Sequence, residues 1–294
     1  APYLPIVGRG FPAWSDAAVL IPWQMYLMYG DTRVLSDFFP LAERWANYLL
    51  ENSDGYIRRG FCYGDWLNAG EETDLDVFST AFFANTMRVM AKICVALRRL
   101  DARRYEEVYR CIRRAFRDEF VDGNGRIKSD TQCCYLLAFA FGLLSERQAG
   151  KHLLRKLREN GNKLACGFVG VKYLLPVLCA IGQKSLAYEL FVREEYPSWG
   201  YMVKNGATTI WERWNSCDSQ KGICAEEMNS FNHYSLGSCT EWLFSGMLGI
   251  GCCEEAPGFE KIRFCPYPDD EGRIDGAAGA YRSVRGMLRV RWRR

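Results

Sequence analysis

Apolar residues recur along most of the chain at intervals of three and four positions, the spacing that places them on one face of a helix. This periodicity predicts eight helical segments, at residues 15–29, 31–51, 74–99, 102–120, 130–143, 145–159, 170–181 and 183–194. The segments follow one another closely, with glycines at several joins, and they show no regular repeat. Short connections favour antiparallel helix pairs, so we expect a mainly α fold, a closed barrel of helical hairpins rather than a solenoid.

Polar residues that commonly cap helices precede several of these segments. Asp31 and Ser145 stand at two predicted starts. Asn229 and Ser230 come directly before Phe231 and predict that another helix opens there.

The pattern changes near the C-terminus, where residues 259–264 and 286–292 alternate apolar with polar positions. Such alternation is typical of half-buried strands. Two or three strands are too few for an independent sandwich, so this module is expected to be only the start of one. We therefore divide the chain into a helical domain at residues 1–255 and a partial β-sandwich domain at residues 256–294.

Two stretches, residues 52–73 and 196–228, lack helical periodicity and are longer than ordinary connections. Loops above about 12 to 15 residues in a compact domain are commonly functional or disordered. Both stretches are rich in Trp, Gly and carboxylates. We expect them to be binding loops.

Composition limits the classes of partner. The chain has 294 residues, of which 49% are hydrophobic, enough for a substantial core. Lys and Arg number 38 against 35 Asp and Glu, a net charge of +3 that gives no electrostatic case for a nucleic acid or an acidic membrane. No apolar run reaches the roughly 18 to 20 residues that a spanning helix needs. The N-terminus does not resemble a signal peptide and is interpreted as a chain cut within a domain.

The chain has thirteen cysteines, an odd number without paired Cys-x-x-Cys motifs, and several lie in apolar helical runs. Free thiols in this number favour a reducing compartment, so we expect a cytoplasmic protein. The two histidines, His152 and His233, stand apart without carboxylate spacing typical of zinc or calcium sites. Neither a metal nor another cofactor is expected.

Candidate chemistry centres on residues 208–214. If this segment is extended, Ile210, Glu212 and Trp214 project to one face, and Trp211 and Arg213 to the other. An indole offers a flat apolar surface to a pyranose, and a neighbouring carboxylate can deprotonate a water, which together suit a sugar site. The alternative is an edge strand whose Glu212 is simply solvated.

Trp and Asp recur together at Trp14-Ser15-Asp16 and at Gly64-Asp65-Trp66. Each pair also has a structural explanation, because Asp16 is placed to cap a helix and Asp65 to form an Asx turn. His233 falls in the first turn of the helix predicted to open at Phe231, where it faces a barrel mouth or merely packs.

These motifs together resemble those of bacterial α-L-rhamnosidases, over almost the whole chain. The matching stretches are residues 12–19, 29–31, 63–67, 196–199, 206–214 and 228–234. The resemblance implies an (α/α)6 barrel, here incomplete at its N-terminus, followed by a β-sandwich. It also implies inverting hydrolysis of terminal α-L-rhamnosides.

The resemblance carries over to individual residues. Glu212 matches the catalytic base that activates the attacking water. Trp14 and Trp66 match aromatic residues that line the rhamnose pocket, and His233 matches a residue that hydrogen-bonds the sugar. Four neighbours are carried as further substrate-binding candidates: Asp65, Trp211, Arg213 and Trp214.

One part of the family pattern is absent. The resemblance places the general acid, with residues that grip the rhamnose hydroxyls, in a segment upstream of Ala1, so the missing N-terminal part of the same enzyme is an expected partner. Glu71 or Glu72 is a possible substitute acid. Two alternatives stay open: a catalytically impaired rhamnoside-binding remnant, and another six-hairpin glycosidase with a different sugar specificity.

Overall fold

The structure is a computed structural model that describes residues 10–224 and 227–294. The helices of this part are α1 Ala17–Tyr29, α2 Arg33–Glu51, α3 Leu75–Ala96, α4 Ala102–Phe120, α5 Gln132–Ala140, α6 Glu146–Glu159, α7 Gly170–Ala180, α8 Lys184–Val192, α9 Trp199–Lys204 and α10 Cys239–Trp242. The strands are β1 Cys217–Asp218, β2 Gly222–Ile223, β3 Ile250–Cys252, β4 Ile262–Phe264, β5 Gly276–Ser283 and β6 Gly286–Arg293. The eight predicted helices are all present, so the mainly α fold is confirmed.

Consecutive helices pack as hairpins, α1 with α2, α3 with α4, α5 with α6 and α7 with α8. The first member of each hairpin also contacts the first member of the next, and α7 contacts α10. Alternate helices therefore form an inner row, and their partners lie outside it. Burial agrees, because nearly every residue from Val77 to Cys94 of α3 is buried, whereas α4 buries only one stripe, at Tyr105, Ile112, Phe116 and Phe120.

This alternation decides where a site can form. The two helices of a hairpin are antiparallel, so the inner helices α1, α3, α5 and α7 run in the same direction. The loops that precede them consequently lie at one end of the domain. The first long loop leads into α3, and the second leads towards α10.

Asp16 fixes the start of α1, although not as a helix cap. It occupies the N-cap position but makes no side-chain bond to its own helix. Its fully buried carboxylate instead accepts hydrogen bonds from the Ala13 N–H at 2.7 Å, the Trp45 indole N–H at 3.0 Å and the Thr86 hydroxyl. One side chain thus joins the first loop to α2 and α3.

The second long loop differs from expectation in two places. It contains the unpredicted helix α9, which the Ser198 hydroxyl caps by accepting from the Tyr201 N–H at 2.9 Å. The helix expected to open at Phe231 does not form. Helical structure resumes only with a 3-10 turn at Ser235–Ser238, which leads into α10 and then a π-helical segment at Leu243–Met247. The Ser230 hydroxyl instead accepts from the Asn232 N–H at 3.2 Å in a local turn, and the Ser230 N–H donates to Glu212 at 2.8 Å.

The C-terminal module begins with strands, as predicted. β5 and β6 form a regular antiparallel hairpin that rests on the helical domain, and the Trp292 indole donates to the Met247 carbonyl at 2.8 Å. β3 pairs with β4 across the proposed boundary at residue 255, which stays a prediction. Among the described residues, no helix combines the length and the apolar character that a bilayer crossing requires.

We predict that Asp16→Ala lowers the free energy of unfolding by about 3 kcal/mol, since three buried donors lose their acceptor. Burial raises the pKa of Asp16 from 3.8 to about 6, against the opposing hydrogen bonds from Thr86 and Trp45. The folded state therefore binds this proton more tightly than the unfolded chain, and the stabilising contribution falls as the pH rises from 3.8 to about 6.

Urea unfolding of both proteins between pH 4 and pH 7 measures this difference. The cost of Asp16→Ala should be larger at pH 4 than at pH 7. The exposed Asp118→Ala on α4 is the matched control and should change stability little at either pH. An equal cost at both pH values would contradict the assigned pKa.

Candidate active site

The predicted site residues lie in the loops that precede the inner helices. Trp14 comes shortly before α1 and Trp66 lies in the loop before α3. Residues 165–169 lead into α7. Glu212 and His233 belong to the segment between α9 and α10.

A row of three aromatic rings forms the first part of the site. The ring centroids of Trp14 and Tyr63 are 5.0 Å apart, and those of Tyr63 and Trp66 are 5.8 Å apart. Trp14 is 37% exposed, and Trp66 is half-buried. Tyr63 was not among the predicted site residues, although its place beside Gly64-Asp65-Trp66 was a usable signal.

Asp65 docks the Trp66 loop onto the start of α7. Its buried carboxylate accepts from the N–H groups of Gly167 at 2.8 Å, Val169 at 2.9 Å and Gly170 at 2.8 Å. Burial raises the pKa of Asp65, and these three hydrogen bonds oppose the rise. The expected Asx turn is not formed by this carboxylate. In this structure Asp65 therefore holds the Trp66 loop in position, and its predicted part in substrate binding stays a prediction.

Phe168 connects this docking to His233. The Phe168 N–H donates to the Trp66 carbonyl at 2.9 Å, and the Phe168 ring stacks on the His233 ring with centroids 4.8 Å apart. His233 Nδ1 accepts from the Ser235 N–H at 3.3 Å. In the neutral imidazole this assigns the proton to Nε2, which can then donate to a ligand.

Glu212 is held by the segment that carries His233. Its Oε2 accepts from the Ser230 N–H at 2.8 Å, and its own N–H donates to the Ser230 carbonyl at 2.8 Å. The His233 N–H donates to the Ile210 carbonyl at 2.8 Å, so the two segments run side by side. With 6% of its surface exposed, Glu212 is not the solvated edge residue of the alternative interpretation.

The segment around Glu212 is nevertheless not a strand, and its side chains do not alternate between two faces. Trp211 and Trp214 are both buried, at 3% and 2% exposure. The Trp214 indole donates to the Cys166 carbonyl at 3.0 Å, and Trp211 packs edge-on against Phe231. These two residues, predicted to bind substrate, are used here to hold the loop.

Arg213 is used in a similar way. Its guanidinium donates to the carbonyls of Met228 at 3.2 Å and Glu227 at 3.0 Å. These bonds tie the Glu212 loop to the segment that leads to Ser230. The orienting role that the sequence suggested for Arg213 stays a prediction.

The family model for the bacterial α-L-rhamnosidase six-hairpin glycosidase domain matches residues 1–247. The chain belongs to this family. An α-L-rhamnosidase of Streptomyces avermitilis is 37% identical over 99% of this chain, and one of an Alteromonas species is 35% identical, also over 99%. The chain spans 28% and 33% of the lengths of these two relatives.

Solved structures agree with this assignment. The crystal structure of the Streptomyces avermitilis α-L-rhamnosidase complexed with L-rhamnose superposes with a TM-score of 0.94 at 37% identity. The superposition covers 100% of this chain and 28% of that one. The six-hairpin helical fold expected from the sequence is thereby confirmed.

Two further carboxylates of this rhamnosidase-family domain stand near the Trp66 loop. Both oxygens of the Glu71 carboxylate already have partners. One accepts from the Gln132 N–H at 2.7 Å, and the other pairs with Lys156 at 2.9 Å. Glu72 is exposed and lines a cavity of about 650 Å³ together with Tyr63 and Trp66. Glu72 is thus the better placed of the two possible substitute acids.

In the described part of the chain, no group of three or more His, Cys, Asp or Glu residues is arranged to hold a metal ion. His152 binds the Asn124 carbonyl through Nε2 at 3.2 Å and stacks on Tyr135, well away from His233 in sequence.

We predict that Gly167→Ala disturbs the aromatic row. A Cβ at this position would lie 2.5 Å from the Asp65 carbonyl oxygen, 2.8 Å from the Asn68 nitrogen and against the Trp66 carbonyl, so the backbone would have to shift. We expect a loss of about 2 to 3 kcal/mol of unfolding free energy and a changed tryptophan emission spectrum. Gly123→Ala, where a Cβ meets no atom within 4 Å, is the control. Unchanged stability and emission in Gly167→Ala would show that the two loops are not tightly docked.

Proposed function

We propose that this domain hydrolyses terminal α-L-rhamnosides with inversion at the anomeric carbon, and that Glu212 is the general base. The observation that carries the proposal is the fixed Glu212 carboxylate, bound to the Ser230 N–H on the same segment that positions His233. His233 is linked to the Trp66 loop through Phe168, which supports including the aromatic row in the same site. The relative crystallised with L-rhamnose supports the choice of sugar.

In this proposal, Glu212 takes a proton from a water whose oxygen attacks the anomeric carbon. The glycosidic C–O bond breaks on the opposite face, and the leaving oxygen takes a proton from a second carboxyl group. Inverting enzymes hold the two carboxyl groups about 6.5 to 9.5 Å apart, which leaves room for the water. The hydrogen bond from Ser230 fixes one oxygen of Glu212 and so sets the direction of the other.

The aromatic row and His233 supply the proposed sugar contacts. Trp14, Tyr63 and Trp66 form an apolar surface suited to the C–H face of a pyranose and to the methyl group of a deoxysugar. The Nε2–H of His233 is a donor for a sugar hydroxyl. Stacking against Phe168 keeps that ring in place.

We propose that the general acid belongs to a preceding segment of a longer protein, as the family resemblance implies. Glu71 is already bound to Gln132 and Lys156, which leaves Glu72 as the candidate acid within this chain. The α1 residues Ile21, Met25 and Tyr29, one helical turn apart, are between 43% and 60% exposed. The same preceding segment is the proposed cover for this apolar stripe.

A second candidate function is rhamnoside binding without turnover. It is supported by one observation, that Glu212 is the single catalytic residue that the resemblance predicts within this sequence. A related enzyme specific for another sugar would use the same base.

For the compartment we keep the proposal of a reducing cytoplasm, which the thirteen free thiols of the structure support.

We predict that Glu212→Gln lowers kcat on p-nitrophenyl α-L-rhamnoside by about 100- to 10,000-fold in the longest natural protein that carries this domain, because the water loses its base. KM should change much less. Glu260→Gln, an exposed carboxamide substitution in the C-terminal module, is the matched control and should keep full activity.

Glu72→Gln separates the two sources of the acid. If the acid precedes residue 1, Glu72→Gln keeps most of the activity, whereas a large loss would identify Glu72 as the acid. Activity that survives Glu212→Gln would remove the proposed base. Binding of L-rhamnose by a protein that shows no turnover even in its longest form would favour the binding function.

A further inference from the structure

A second groove lies away from the candidate active site, beside the C-terminal halves of α1 and α3. The N-terminal half of α4 and residues 254–257 complete its wall. Its volume is about 700 Å³, within the range of about 300 to 1,000 Å³ typical of organic ligand sites. None of its lining residues belongs to the proposed rhamnoside site.

One side of the groove is aromatic and well ordered by its contacts. The rings of Trp23 and Tyr26, on α1, lie 5.4 Å apart with a tilt of 42°. The Tyr109 hydroxyl, on α4, donates to the Phe141 carbonyl at 2.8 Å, which leaves the ring as the part that lines the groove. This wall can accept the flat apolar face of a ring.

Two guanidinium groups in the same groove lack an acidic partner. The Nε atoms of Arg88 and Arg113 are buried and have no hydrogen-bond partner. Among the described residues neither side chain forms an ion pair. The Arg88 guanidinium donates from Nη2 to the Asn85 amide oxygen at 2.8 Å and lies over the Phe141 ring, 6.0 Å from its centroid, so both of its contacts are uncharged. A partly desolvated cation without a counter-charge is costly, and unsatisfied buried groups often mark an absent ion or ligand.

The other cations of the groove are already neutralised. Lys92 pairs with Glu254 at 2.6 Å, and Arg110 pairs with Glu106 at 3.0 Å. The remaining carboxylate of the groove, Glu255, is exposed. Within the groove, the cations without a carboxylate partner are therefore Arg88, on α3, and Arg113, on the packed helix α4.

We propose that this groove binds a carboxylate carried on a ring with an apolar face, with Arg88 and Arg113 as its anion-binding residues. Guanidinium groups bind carboxylates in planar, often bidentate pairs, and the aromatic wall would receive the attached ring. Two kinds of molecule share this chemistry, namely uronic acids and aromatic acids. The site needs neither Glu212 nor its sugar, so it is independent of the proposed hydrolysis.

Isothermal titration of the protein with sodium glucuronate and sodium benzoate, at constant ionic strength, tests the proposal. Glucose and benzyl alcohol are the neutral counterparts. We expect saturable binding and a raised Tm with at least one carboxylate and with neither neutral compound. Glucuronate alone would assign the site to acidic sugars, and benzoate alone to aromatic acids.

Matched variants locate the binding. Arg88→Gln and Arg113→Gln should each weaken it at least tenfold, whereas Arg114→Gln, an exposed neighbour on α4 that does not line the groove, should leave it unchanged. Far-UV circular dichroism checks folding, and Arg113→Lys, which keeps the charge but not the planar fork, should give an intermediate loss. The proposal is overturned if neither carboxylate binds, if the neutral compounds bind equally well, or if binding survives both glutamine substitutions.

Discussion

The candidate site depends on one buried carboxylate that never needs to touch a ligand. Asp65 accepts three N–H groups from the chain entering α7, and so locks the loop that carries Trp66 to the segment that carries Phe168. Those N–H groups belong to the start of a helix, where they have no partner within the helix and the positive end of the dipole favours an anion. The same bonds oppose the rise in the pKa of Asp65 that burial causes.

The helical hairpins explain why residues far apart in sequence meet there. The inner helices α1, α3, α5 and α7 begin at the same end, so the loops that lead into them bring their side chains to a common place. Trp14 comes before α1, Trp66 before α3 and Phe168 before α7. His233 comes before α10 and stacks on Phe168. The site is thus assembled from helix starts. Two buried carboxylates of these loops connect different hairpins. Asp16 binds Trp45 of α2 and Thr86 of α3, and Asp65 binds the N–H groups at the start of α7.

Helices such as α2, α4 and α6 could be predicted from sequence because each of them buries a periodic set of side chains. The strand pattern of residues 286–292 was predictable for a similar reason, since Trp292 and its neighbours alternate towards the helical domain. Periodicity failed at residues 208–214 and 229–234, where single hydrogen bonds from Ser230 and His233 determine the backbone path. The hydrogen bonds of Asp65 join residues about a hundred positions apart in sequence. The local sequence around Asp65 therefore could not predict its partners.

Asp65 and Glu212, the two carboxylates of the site, differ in how many backbone N–H groups they accept from. Both oxygens of Asp65 are occupied by N–H groups, so it has little capacity left for a water or a sugar. Glu212 is nearly as buried, yet within residues 10–224 and 227–294 a single N–H donates to its carboxylate, at Oε2. A carboxylate held by one oxygen is oriented while the other keeps lone pairs that can accept a proton from water. That difference, rather than burial or a neighbouring indole, makes Glu212 the better candidate for the base.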